Sequence, residues 1–348
     1  MSKNSSAPAT PPSKPSSSIP KPPYDPEMAA FLDVYPAPKD ITRDFIPIMR
    51  QAPPSQATAE DVLAGEPYTH EERQINGHSG PVTISIFRPT AAANAGPVLA
   101  GNTKLPVLYY THGGGFLCGN RFTSAKDFLQ FAKVAGAILV TVEYRLTPEH
   151  PYPAAIDDAW AGLKYIGEHA AELGMDSERL MLVGSSAGAN LTAALALIAR
   201  DQKGPKIVGQ LLDCPMIDDR NTTSSSKQFV SEGTWSRDSN IMAWGIYLGP
   251  NAGKDGVSQY AAPARCTDFS NLPATFISVG SSEVFRDESV EYASNLWKAG
   301  VQCELHVWPG GFHVFDGLMP TSPISVASIE AKTNWVKTTL ARQLKAKL

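Results

Sequence analysis

The chain has 348 residues, 43% of them hydrophobic, with a formal net charge of −4. That is enough apolar material for one large core, and the mild negative charge gives no footprint for nucleic acid or an anionic membrane surface. No uninterrupted apolar run approaches the roughly 20 residues a membrane-spanning helix needs, so a transmembrane segment is not expected.

Residues 1–25 are rich in Pro, Ser, Ala and Lys and contain no apolar stretch. They lack the hydrophobic core of a secretory signal and the arginines of a transit peptide, and read as a disordered tail. Residues 26–65 follow, with helical stretches around Met28–Tyr35 and Ile41–Arg50. From residue 82 onward strands and helices alternate. Strands are expected at Val82–Phe87, Pro106–Thr111, Ala137–Glu143, Arg179–Val183, Ile207–Cys214, Ala274–Val279 and Cys303–Trp308. Several are continuously apolar, such as Ala137-Ile138-Leu139-Val140, as in strands covered on both faces. Helices are expected at Phe122–Ala135, Ala154–Leu173, Ala187–Arg200, Asp287–Ala299 and Ser325–Leu344. The alternation predicts an α/β fold with a mostly parallel sheet and helices on both sides.

Residues 219–250 break the alternation, being polar from Asn221 to Ser226 and then carrying Trp235, Met242, Trp244, Tyr247 and Leu248. Together with 26–65 they are assigned to a lid over the carboxyl ends of the strands, where open α/β sheets bind ligands. The alternative for the aromatic cluster is ordinary packing within the main domain. Cys118, Cys214, Cys266 and Cys303 show neither a Cys-x-x-Cys pair nor metal-ligand spacing. They read as reduced thiols of an intracellular protein, and neither a metal nor any other cofactor enters the reading. The last residues, Ala346-Lys347-Leu348, are a relaxed variant of a peroxisomal address; the expectation is the cytosol, with the peroxisome as the alternative.

The chemistry concentrates at Gly184-Ser185-Ser186-Ala187-Gly188. This pentapeptide lies between a predicted strand and a predicted helix, which places Ser186 on a sharp turn with its hydroxyl presented, while glycine at 184 and 188 avoids collision with neighbouring backbone. A second rare run, His112-Gly113-Gly114-Gly115, follows another predicted strand. Ser186 is therefore the candidate nucleophile, and it needs a base. Of seven histidines only His306 and His313 follow it in the chain. His306 falls inside a predicted strand, whereas His313 follows Pro309-Gly310-Gly311-Phe312, a loop able to present its imidazole to Ser186. The orienting carboxylate belongs on the loop after Ala274–Gly280, where Glu283 is the first choice and Asp287 the second, the latter reading as a helix N-cap. An oxyanion formed at Ser186 would be met by the backbone N–H of Ala187 and by those of Gly114 and Gly115. His112 reads as a loop-ordering residue.

These residues resemble the hormone-sensitive-lipase-like esterases of the α/β-hydrolase superfamily. The resemblance spans about residues 80–345 and rests on His112-Gly113-Gly114-Gly115-Phe116, Tyr144-Arg145-Leu146-Thr147-Pro148-Glu149-His150-Pro151, Pro153-Ala154-Ala155, Gly184-Ser185-Ser186-Ala187-Gly188 and Gly311-Phe312-His313. It implies an α/β-hydrolase fold with a helical lid, hydrolysis of a small to medium acyl ester through an acyl-enzyme, and loop-ordering roles for Arg145 and Glu149. The family's usual Asp-Pro-Leu-x-Asp-Glu is here Glu283-Val284-Phe285-Arg286-Asp287-Glu288, which aligns Glu283 with the catalytic acid. The family's Pro-Trp is here Pro215-Met216, a change at the acyl pocket. An amidase, lactonase or dehydratase on the same scaffold, or a non-catalytic ligand receptor, are the competing expectations. Such receptors typically lose the histidine that this chain keeps. Oligomeric state, including a homo-oligomer, stays open.

Overall fold

The computed structural model describes residues 19–35, 41–90 and 104–345. Its sheet has eight strands: β1 (Tyr68–Gly77), β2 (Gly80–Pro89), β3 (Leu105–Thr111), β4 (Ile138–Glu143), β5 (Met175–Ser185), β6 (Ile207–Asp213), β7 (Ala274–Gly280) and β8 (Cys303–Trp308). Their order across the sheet is β1-β2-β4-β3-β5-β6-β7-β8. β2 runs antiparallel to both of its neighbours, and every pair from β4 to β8 is parallel.

Side-chain alternation explains how one sheet serves two cores. Val107 and Tyr109 of β3 and Leu180 and Leu182 of β5 join the core that holds the helices Ala154–His169, Ala187–Asp201 and Arg286–Lys298. Leu108, Tyr110, Met181 and Val183 face the opposite core, with the helices Ala125–Ala135 and Pro323–Lys345. Successive strand residues point to opposite faces, so a continuously apolar strand feeds both. The expected mostly parallel sheet with helices on both faces is the observed architecture.

β1 is absent from the expected strands. Its sequence, Tyr-Thr-His-Glu-Glu-Arg-Gln-Ile-Asn-Gly, buries only Tyr68 and Ile75, because it is an edge strand paired on one side with β2. An exposed edge needs few apolar residues and carries charge that deters further pairing.

Two assignments at the N-terminal end change. The tail expected to be disordered through residue 25 is bonded to the rest of the chain from Pro20 onward: Pro20 O accepts from Gln228 Nε2, the Asp25 N–H donates to Gly310 O at 3.1 Å, and Pro23 O accepts from Ser282 Oγ at 2.9 Å. Residues 1–18 and the tripeptide 346–348 lie outside the described residues. Within 26–65, the helix Pro26–Val34 packs on the loop after β8 through Met28 and Phe31 against Phe312. The helix Ala59–Leu63 does not cover the strand ends. It joins the core around Ala125–Ala135, capped by the reciprocal Thr58 and Asp61 bonds of a capping box.

Candidate active site

Ser186 sits at the junction of β5 and the helix Ala187–Asp201 with φ +56° and ψ −121°. A non-glycine residue in this region is strained by about 1–3 kcal/mol and persists only where its surroundings fix it. Here they do: its N–H donates to Asp213 O at 2.8 Å, and its carbonyl accepts from Met216 N–H at 3.2 Å. The elbow is therefore pinned by the end of β6.

His313 and Glu283 come from the loops after β8 and β7. His313 Nε2 lies 3.0 Å from Ser186 Oγ, and its Nδ1 lies 2.8 Å from Glu283 Oε2. With the proton on Nδ1, that nitrogen donates to the carboxylate and Nε2 is left to accept the serine proton. The second Glu283 oxygen, Oε1, accepts the Gly280 N–H at 2.9 Å, so both oxygens are held. All three side-chain-bearing residues are buried, with relative exposures of 6% for Ser186, 5% for His313 and 2% for Glu283.

The two loops meet because glycine stands at the contact. A Cβ on Gly280 would fall 2.1 Å from Gly311 O, so no other residue permits this approach. Around it, Ser281 N–H donates to Trp308 O, Ser282 N–H to Gly311 O and Gly310 N–H to Ser281 Oγ, at 2.8, 3.0 and 2.8 Å. Thr234 Oγ1 donates to the His313 carbonyl at 2.6 Å, and the Phe285 ring meets the imidazole edge-on at 5.0 Å.

The glycine-rich loop lies across the elbow. A Cβ on Gly113 would reach 3.4 Å from Ser186 Cβ, and one on Gly114, whose φ is +114°, would strike Cys118 O at 2.1 Å. The Gly114 and Gly115 amide N–H groups form no hydrogen bond with any described residue. Ala187 is the first residue of its helix, where an N–H has no intrahelical acceptor. Trp235 closes the outer side: a Cβ on Gly115 would come within 2.7 Å of its ring, whose centre is 6.5 Å from that of His313. The indole N–H is fixed on Asn240 Oδ1 at 3.2 Å. Trp244 and Tyr247 instead pack on Phe116 in the core, so the aromatic cluster of 219–250 divides between the site and ordinary packing.

His112 stands apart from the chemistry. It stacks on Tyr144 at 4.1 Å, its Nδ1 meets Gly113 O at 2.7 Å, and Tyr144 OH donates to its carbonyl at 2.7 Å. Complete burial pulls its pKa down from 6.5 to about 4, so it is neutral at pH 7. His306 is also remote, bonded to Glu304 on β8 and stacked between Phe276 and Trp308.

Arg145 grips Asp158 with two bonds, and Glu149 holds Arg50, which also donates to Leu117 O and Thr147 O at 2.8 Å each. Both residues thus order loops, and Arg50 ties the N-terminal helix Ile46–Gln51 to the glycine-rich loop. Arg50 carries no sequence signal of its own, because its partners, the Glu149 carboxylate and two carbonyls, are distant in the chain. Asp287 is not an N-cap: the helix begins at Arg286, and the Asp287 carboxylate accepts Ser225 N–H at 2.7 Å. Glu288 is buried, its pKa pushed well up by burial, and accepts the Ile217 and Asp218 amides, bracing the loop after β6. All four cysteines are free, and no described helix is long and apolar enough to cross a membrane.

Residues 108–317 match a family model described as alpha/beta hydrolase fold. Esterase LipI of Mycobacterium tuberculosis is 34% identical over 293 residues, covering 82% of this chain and 86% of the relative. Carboxylesterase NlhH of the same organism is 34% identical over 299 residues, covering 85% of this chain and 89% of the relative. Among solved structures, a bacterial heroin esterase superposes with a TM-score of 0.81 at 35% identity, covering 91% of this chain and 98% of the other. The fold and the serine-centred site define an α/β-hydrolase. Within that superfamily, the chain belongs to the hormone-sensitive-lipase-like esterase family.

Proposed function

We propose that the protein hydrolyses carboxylic esters of small to medium acyl chain, with Ser186, His313 and Glu283 as its catalytic triad. The observation that carries the reading is the unbroken chain of contacts from Ser186 Oγ to His313 at 3.0 Å and from His313 to Glu283 at 2.8 Å. Ser186 Oγ attacks the ester carbonyl carbon while its proton passes to His313 Nε2. Glu283 holds the Nδ1 tautomer and stabilises the imidazolium. The negative charge that develops on the carbonyl oxygen is met by the amides of Gly114, Gly115 and Ala187. His313 returns the proton to the departing alcohol, leaving an acyl ester on Ser186. Water, deprotonated by the same Nε2, then attacks that ester, and the carboxylic acid leaves as Ser186 regains its proton.

Trp235, whose ring is fixed on Asn240 and lies against Gly115, supports the limit on acyl size. We assign the described residues 26–35 and 41–51, together with 219–250, to a lid, and the free thiols fit action in the reducing cytosol. Ser186→Ala is expected to lower hydrolysis of p-nitrophenyl acetate by about 10³-fold or more. A panel of ester, amide and lactone substrates separates the ester reading from its neighbours. Near-normal ester turnover in the variant would end it.

A further inference from the structure

Behind the triad, on the side of the helix Pro323–Lys345, lies a buried lysine that the mechanism does not use. Lys332 is 3% exposed and sits in the wall of a cavity of about 250 Å³ that also includes Ser185 and Val314, the residues adjoining Ser186 and His313. Its ammonium donates to Asp213 Oδ1 at 2.9 Å and to Asp316 Oδ2. Asp316 accepts a further bond from Ser328 Oγ at 2.6 Å. Asp213 is the residue whose backbone oxygen receives the Ser186 N–H, and Asp316 lies three residues beyond His313. One cation thus joins the end of β6, which pins the nucleophile, to the short helix Phe315–Leu318, which follows the base.

We propose that Lys332 is a positioning residue that sets the Ser186–His313 distance by clamping Asp213 and Asp316 together. The proposal rests on the triad assigned above. Buried charges are costly unless paired, and an ammonium between two carboxylates has a defined place only where both stay in reach. Either strand end or helix can move about 1 Å once that bond is gone, and misplacement on this scale costs about 100-fold in rate.

The test compares Lys332→Met and Asp316→Ala with the full-length wild type. Thermal unfolding is followed alongside kcat, KM and the rate of fluorophosphonate labelling. The Asp316→Ala protein retains the Lys332–Asp213 pair, so it decides the matter if Lys332→Met does not fold. Expected is a fall in kcat of about 10-fold or more, with labelling slowed in step and KM within about twofold. A folded Asp316→Ala protein with wild-type kcat would overturn the clamp, as would failure of both variants to fold, which would make the network a stability element. Ser186→Ala is run in parallel. If it retains hydrolysis the triad itself is wrong, whereas if it is inactive and Asp316→Ala is unaffected, only the role of Lys332 is lost.

Discussion

Replacing Glu283 by glutamine tests the least familiar part of the triad, since the chain carries a longer acid than the family's usual aspartate. One carboxylate oxygen accepts from His313 at 2.8 Å and the other from Gly280 N–H at 2.9 Å, so the site needs two acceptors. Glutamine has only one. If its oxygen faces His313, its NH₂ meets the Gly280 N–H, donor against donor. If its NH₂ faces His313, Nδ1 must become the acceptor and the proton moves to Nε2, where it blocks transfer from Ser186. Both arrangements also lose the charge that supports the imidazolium. A wrong tautomer of this kind costs about 10⁴ in kcat, equivalent to about 5 kcal/mol. The assay is p-nitrophenyl acetate hydrolysis by purified, folded Glu283→Gln, with Asp287→Ala as its comparison. The latter removes the bonds that its carboxylate accepts from Ser225 N–H and Arg286 Nε and is expected to stay within about tenfold of wild type. Glu283→Gln retaining a tenth of wild-type kcat, or losing less than Asp287→Ala, would refute the reasoning.

Trp235→Ala should open the space beside Gly115. The ratio of kcat/KM for an octanoyl ester to that for an acetyl ester is expected to rise about 10-fold or more, since each added methylene in an apolar pocket is worth about 1–3 kcal/mol. An unchanged ratio would remove Trp235 from the acyl pocket. His112 gives a stability prediction with a definite sign. Its pKa is lowered by burial to about 4 in the folded chain against 6.5 when exposed, so the unfolded state takes up the proton first on acidification. Its contribution is fully present above pH 6.5 and is lost as the pH falls towards 4, by about 3 kcal/mol in total. Urea midpoints of wild type and His112→Phe should therefore converge between pH 7 and 4. A constant difference across that range would show that the imidazole does not stay neutral in the fold.

What could be read from the residues follows from how local each signal is. The elbow at Ser186 and the loop at Gly114 and Gly115 depend on turn chemistry within five residues, so strand, glycine and helix announce them together. Placing Glu283 and His313 required only that each follow a strand end. Residues held by distant partners were not legible. Asp287 looks like a cap because it opens a helical pattern, yet its oxygen is taken by Ser225, 62 residues away. Pro20 to Asp25 have no periodicity, and their order comes from bonds to Gln228, Ser282 and Gly310. The capping box at Thr58 and Asp61 was a readable sign that Ala59–Leu63 is an independent helix rather than part of a lid. β1 leaves no clear sequence signature because an edge strand with one buried side shows hardly any apolar alternation.

The central claim is that Ser186 is the one side chain activated by His313 and Glu283. It is tested most directly by reacting the wild-type protein with a fluorophosphonate and locating the adduct by peptide mass mapping. The account predicts a single adduct, on Ser186, that disappears in His313→Ala. Modification at another residue, or undiminished labelling of Ser186 without the imidazole, would contradict it.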